Sequence, residues 1–166
     1  MSVNWADYGK YATDVFTDEA VTRIQDHDSE NQPLFLYLAH LAVHSANTYS
    51  PLQAPKDIVN RFKYIQDENR RKFAGMLHKL DESVGKVVEA LAKKNMLTNT
   101  VIVFTTDNGG PASGFNLNAA SNWPLKGVGT YCSRIEKKVQ FQKYKNTFFA
   151  ISKMAKKNQF LHQKKV

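Results

Sequence analysis

The sequence is short of several things. Its 166 residues contain one cysteine, Cys132. That excludes an internal disulfide framework and a Cys-x-x-Cys zinc site. There is no Asn-x-Ser/Thr acceptor sequence, and no run approaches the ~18 consecutive apolar residues of a membrane span. The first residues, Met-Ser-Val-Asn-Trp-Ala-Asp, lack the basic and apolar regions of a secretory signal, so the chain itself does not disclose its compartment. Acidic residues are missing from one end only. Residues 1 to 128 carry a net charge of −1, whereas residues 129 to 166 carry +9, with Glu136 as their single acid. The overall +8 is therefore the average of two unlike stretches. Wholesale disorder is excluded by a hydrophobic content of 42% and an aromatic content of 11%.

Two short apolar runs read as strands. Leu34-Phe35-Leu36-Tyr37-Leu38-Ala39 follows Pro33, and its continuity predicts burial on both faces. Thr100-Val101-Ile102-Val103-Phe104-Thr105 is β-branched and aromatic. Between them, Phe73, Met76, Leu77, Leu80, Val84, Val87, Val88 and Leu91 recur at spacings of three and four. They predict one long amphipathic helix over about 66–95. Before the first strand, Thr17 reads as the N-cap of a helix ending near His27, with residues 1 to 12 as loop. Residues 44 to 55, with Pro51 and Pro55, read as irregular. Strand, helix, strand makes one βαβ unit with parallel strands. Residues 1 to 127 supply too few elements to surround such strands, so the expectation is part of a larger α/β domain, with strand faces and edges left uncovered.

Ligands of open parallel sheets bind beyond the carboxyl ends of the strands. His40 and His44 follow the first strand, and Asp107 and Asn108, then Gly109 and Gly110, follow the second. Asp107 and Asn108 offer hard oxygen donors suited to Ca²⁺ or Mg²⁺, but from pattern alone Asp-Asn-Gly-Gly reads first as turn chemistry, since a metal site needs further ligands. His44 can donate to an anionic oxygen or move a proton near neutral pH; a loop histidine with a purely structural role is the alternative. His40 carries little weight as a metal partner for His44, because no helix sets the two on one face. His78, on the long helix, reads as a partly buried surface histidine. Lys126 is either an anion contact or a solvated lysine. Cys132 has no neighbouring base to make it a nucleophile. The lysines and aromatics beyond residue 128 could bind nucleic acid, but charge alone specifies no such partner, and none is expected.

Several segments carry a family resemblance. Pro33-Leu34-Phe35-Leu36-Tyr37-Leu38-Ala39, Val43-His44 and Pro51-Leu52-Gln53-Ala54-Pro55 resemble the sulfatase family, and within it the arylsulfatases. So do Tyr64-Ile65-Gln66-Asp67-Glu68-Asn69-Arg70, Ala74-Gly75-Met76 and Leu80-Asp81-Glu82-Ser83-Val84-Gly85. The stretch from Asn99 to Gly110 and Asn122-Trp123-Pro124-Leu125-Lys126-Gly127 complete the match. The resemblance implies an alkaline-phosphatase-like α/β domain that hydrolyses sulfuric esters, with a sulfated small molecule or glycosaminoglycan as substrate and a lysosomal or secreted location. It implies one Ca²⁺, for which Asp107 and Asn108 match two ligands. It implies that His44 contacts the sulfate and protonates the leaving oxygen.

The departures are specific. The family's nucleophile is a formylglycine made from a cysteine in a Cys-x-Pro-Ser-Arg segment, which is absent here. Cys132 does not replace it, because Arg134 and Glu136 stand where Pro and Arg are needed. The paired metal-binding aspartates and a Lys-x-His pair are also missing, and Gly129 stands in the place of a sulfate-binding lysine. The expected division is thus a partial sulfatase domain over 1–127 and a basic tail over 128–166. That tail shows no resemblance, which fits read-through of an intron or a frameshift. Such a chain is expected to be inactive alone. The alternative is a non-catalytic remnant or a binding protein that uses the tail.

Overall fold

The computed structural model describes residues 5–107, 109–110 and 119–121, together with the backbone of 147–153. Asn108, Trp123, Lys126 and Cys132 lie outside the described residues.

Helix α1 spans Ala12–Asp26, strand β1 Phe35–His40, helix α2 Lys56–Arg61, helix α3 Glu68–Lys93 and strand β2 Thr100–Thr106. A further strand, β3, spans Thr147–Lys153. The long helix and both expected strands appear within two residues of their expected bounds. Helix α1 is a correction. It begins at Ala12, five residues before the expected cap, and Thr17 lies inside it. Its buried stripe is Thr13, Thr17, Ala20 and Ile24, spaced by four, three and four. Two members of that stripe are threonines, so the apolar pattern fades in the first turns. Each threonine hydroxyl needs an acceptor once buried, and Thr17 finds one in the Thr13 carbonyl, at 2.5 Å.

Helix α3 starts where Asp67 caps it, its carboxylate accepting the Arg70 backbone N–H at 2.6 Å. Its apolar face packs on α1 and on one face of the sheet. Ala20 and Ile24 from α1, Leu38 from β1, and Val87, Ala90 and Leu91 from α3 form the core with Met96. Helix α2, which falls just after the segment read as irregular, leans on α3 at Gly75. A Cβ there would stand 3.1 Å from Ala54 Cβ and 3.3 Å from Val59 Cγ2, so glycine permits the close approach.

The sheet has the order β1-β3-β2, parallel throughout. The βαβ reading holds in direction but not in adjacency. The strand between β1 and β2 comes from beyond residue 128, the part expected to be an unrelated tail. Register sets Tyr37 and Val103 on either side of Ala150, and His40 and Thr106 on either side of Lys153. Burial of β1 on both faces is also corrected. Phe35 is 69% exposed and Tyr37 53%, while Leu38 and His40 are buried on the face toward the helices. Among the described residues no helix is long and apolar enough to cross a membrane.

Candidate active site at the carboxyl ends of the strands

Because β1 and β2 run parallel, their carboxyl ends open on the same edge of the sheet. The chain leaves β1 at His40 and turns at Leu41–His44, where the His44 backbone N–H donates to the Leu41 carbonyl at 2.9 Å. It leaves β2 at Thr106 and reaches Asp107 at once. The two strand ends stand on either side of β3, about 10 Å apart at the usual ~4.8 Å between neighbours. A polar cleft lined by Glu30, Asn31, Gln32, Asn95 and Asn99 opens at the opposite, amino ends of the strands.

His44 is half-buried, and its Nδ1 lies 2.6 Å from the Ser45 carbonyl oxygen. A carbonyl only accepts, so Nδ1 carries the proton. Nε2 is then the nitrogen available to a ligand: an acceptor in the neutral ring, a donor in the imidazolium. The loop that carries His44 is held at its far end. Ala46 N–H donates to the Pro51 carbonyl at 2.7 Å. Tyr11 Oη, at the head of α1, donates to the Gln53 carbonyl at 3.0 Å. Burial pushes the Tyr11 hydroxyl's pKa up, which keeps it protonated as that donor.

Asp107 is half-buried, with Thr106 Oγ1 donating to its Oδ1 at 3.4 Å. A carboxylate there is a hard oxygen ligand at a strand end, as a divalent cation requires. Among the described residues, however, no three His, Cys, Asp or Glu side chains gather into a metal-binding group. A Ca²⁺ ion takes 6–8 oxygens, so the residues present do not by themselves fit the ion.

His40 does not join this edge. It is fully buried between the sheet and the helices, Nε2 lying 3.0 Å from Ser83 Oγ of α3. Ser83 Oγ is in turn 2.6 Å from Thr17 Oγ1 of α1. Sequence reasoning passed over Ser83; the available signal was a hydroxyl between Leu80 and Val87 in the buried stripe of the helix. Lys79 was also passed over. Its ammonium is buried, 2.6 Å from Asp14 and 2.8 Å from Glu82. Burial pulls its pKa down, but those two hydrogen bonds outweigh it and the value is raised. His78 is half-buried beside Phe62, as expected of a surface histidine, with Nε2 3.4 Å from Arg61 Nη1.

The Sulfatase family model matches residues 2–162. The chain belongs to the sulfatase family. Mouse (Mus musculus) arylsulfatase J is 41% identical over 127 residues, covering 75% of this chain and 19% of the relative. Mouse N-acetylgalactosamine-6-sulfatase is 29% identical over 113 residues, covering 68% of this chain and 20% of the relative. Among solved structures, that of Ps i-CgsB in complex with k-i-k-neocarrahexaose superposes with a TM-score of 0.63 at 34% identity, covering 86% of this chain and 31% of that one. A second Ps i-CgsB structure gives a TM-score of 0.61 at 42% identity, covering 70% of this chain and 24% of that one. The α/β architecture of this sulfatase chain is therefore part of an alkaline-phosphatase-like sulfatase domain. The chain spans about a fifth of the length of these curated relatives.

Proposed function

We propose that this chain is the sheet-edge portion of a sulfuric ester hydrolase of the arylsulfatase B type. Its substrate would be a sulfated sugar, glycosaminoglycans included, and its location lysosomal or secreted. The observation that carries the reading is the common edge: His44 and Asp107 both follow the carboxyl ends of parallel strands. The sugar assignment is supported by relatives named for N-acetylgalactosamine-6-sulfate and by the carrahexaose in a structural neighbour.

In this reading His44 acts on the leaving group. Cleavage of the S–O bond leaves an alkoxide, which a proton from the imidazolium Nε2 neutralises. The Ser45 carbonyl holds the ring by Nδ1 and so keeps Nε2 as the reacting nitrogen. Asp107 and Asn108 are proposed as two of the oxygen ligands of a Ca²⁺ ion whose remaining ligands this chain does not supply. The nucleophile is not supplied either, since no Cys-x-Pro-Ser-Arg segment occurs in the 166 residues. Residues 1–127 are proposed as the main sulfatase portion and 128–166 as a basic tail, although the family match reaches residue 162 and the tail's β3 lies between β1 and β2. The missing nucleophile favours a second reading, a non-catalytic remnant.

A chimera separates the two. Residues 34–110 replace the matching stretch of a complete arylsulfatase, and hydrolysis of an aryl sulfate is measured. The expected result is retained turnover, with His44→Ala lowering kcat by roughly 10²–10⁴-fold, the usual contribution of a general acid. Asp107→Ala should abolish activity that added Ca²⁺ supports. An inactive chimera that folds normally would favour the remnant. Activity indifferent to both substitutions would remove His44 and Asp107 from the site.

A further inference from the structure

The buried histidine of β1 is not used by the proposed chemistry, and its surroundings are unusual. His40 is 0% exposed, and its Nδ1 is a buried polar atom without a hydrogen-bond partner among the described residues. On the other side of the ring a chain of hydroxyls begins: Ser83, then Thr17, then the Thr13 carbonyl. Counting protons orders it. Thr17 has one hydroxyl proton, and the Thr13 carbonyl can only accept, so that proton goes to Thr13. Ser83 then donates to Thr17, and His40 must donate from Nε2 to Ser83. Every donor is used once, and Nδ1 is left as a bare lone pair. The chain ties the end of β1 to both α3 and α1.

We propose that His40 is an acid-sensitive latch: placing a proton on its buried Nδ1 frees the end of β1, and with it the turn carrying His44, from α1 and α3. A second N–H has no acceptor among the described residues where Nδ1 lies, and the charge is set against Phe16, whose ring centre is 6.5 Å away. Among the described residues, the elements around His40 offer no compensating carboxylate. Helix α1 presents Thr13, Phe16 and Thr17, and its nearest acid, Asp14, is paired with Lys79. Helix α3 presents Ser83, and its Glu82 is paired with Lys79 and Lys86. On the sheet, β3 places Lys153 level with His40 in register. Burial accordingly holds the imidazole below its ordinary value of 6.5. The folded chain then binds fewer protons than the unfolded chain. Stability from this source is complete above about 6.5 and is lost as pH falls below it.

The test is deuterium exchange at imidazole Cε1, followed by mass spectrometry on the full chain between pH 4 and 9, with and without 8 M urea. The expected result is slow exchange at His40 without urea, with a midpoint displaced to lower pH relative to the urea sample. Equal midpoints would overturn the proposal. A second measurement uses His40→Leu, which removes the orphaned nitrogen and leaves Ser83 and Thr17 to bond to each other. The urea midpoint of the native chain should fall between pH 7.5 and 5.5, and that fall should shrink in His40→Leu. An unchanged fall in the variant would overturn the latch, whatever the fate of the sulfatase reading.

Discussion

Single residues decide how the two helices meet. Lys79 is an ammonium in a place where apolar side chains would ordinarily sit, and it persists because Asp14 and Glu82 both reach it. Glu82 also reaches Lys86 at 2.9 Å. Hydrogen bonds from Lys79 and Lys86 bring the Glu82 carboxyl down to about 2 from 4.5. A depressed carboxylate stabilises the fold above its unfolded value and loses that contribution as pH falls through the folded one. The window is therefore pH 4.5 down to about 2. Glu82→Gln should cost about 1–3 kcal/mol near neutral pH, the cost of leaving a partly buried charge with fewer partners. Urea denaturation across pH 6 to 2 should show a shallower acid loss in the variant. An acid loss as steep as in the parent chain would place the sensitivity elsewhere.

Elements were legible in the sequence where one signal ruled. Helix α3 was, because eight apolar residues repeat at helical spacing, and β1 and β2 were, because each is a short apolar run. Helix α1 was misplaced because Thr13 and Thr17 hide half of its buried stripe. Strand β3 went unread because Phe148 to Ile151 stand among lysines and were taken with them as tail. The site divides in the same way. His44 and Asp107 could be placed at strand ends from local pattern. The His40–Ser83 contact joins residues 43 apart and exists only once α3 lies on the sheet. Gly75 is the corresponding contact between α2 and α3. A valine there would add two methyl groups to a Cβ already tight against Ala54 and Val59. Gly75→Val should cost about 1–3 kcal/mol, the usual penalty of overpacking. The loss should appear as a lower urea midpoint and as faster amide exchange in α2. A midpoint equal to that of the parent would mean that α2 yields without cost.

The molecule as a whole depends on a strand contributed by its basic end. Among the described residues the sheet has three strands, and β3 is the one with neighbours on both sides. Without it, β1 and β2 would have no strand partner among the described residues, and the helices would cover a sheet with a gap at its centre. The face turned from the helices is already costly in water, since Phe35 and Tyr37 are exposed there. Open edges and an exposed apolar face favour self-association. The backbone of β3 therefore carries more of the fold than its charged surroundings suggest. Ala150 lies midway along it, level with Tyr37 on one side and Val103 on the other. Proline at a central strand position removes a ladder donor and is confined by that loss to edges and bulges. Ala150→Pro should lower stability by about 1–3 kcal/mol, the cost of leaving a ladder acceptor without its donor. The expected readings are reduced strand signal in far-ultraviolet circular dichroism and larger species in sedimentation, with the helical signal of α1 and α3 retained. If the variant instead keeps the parent's urea midpoint and sedimentation profile, residues 147–153 do not bridge β1 and β2, and those two strands must find each other or other partners.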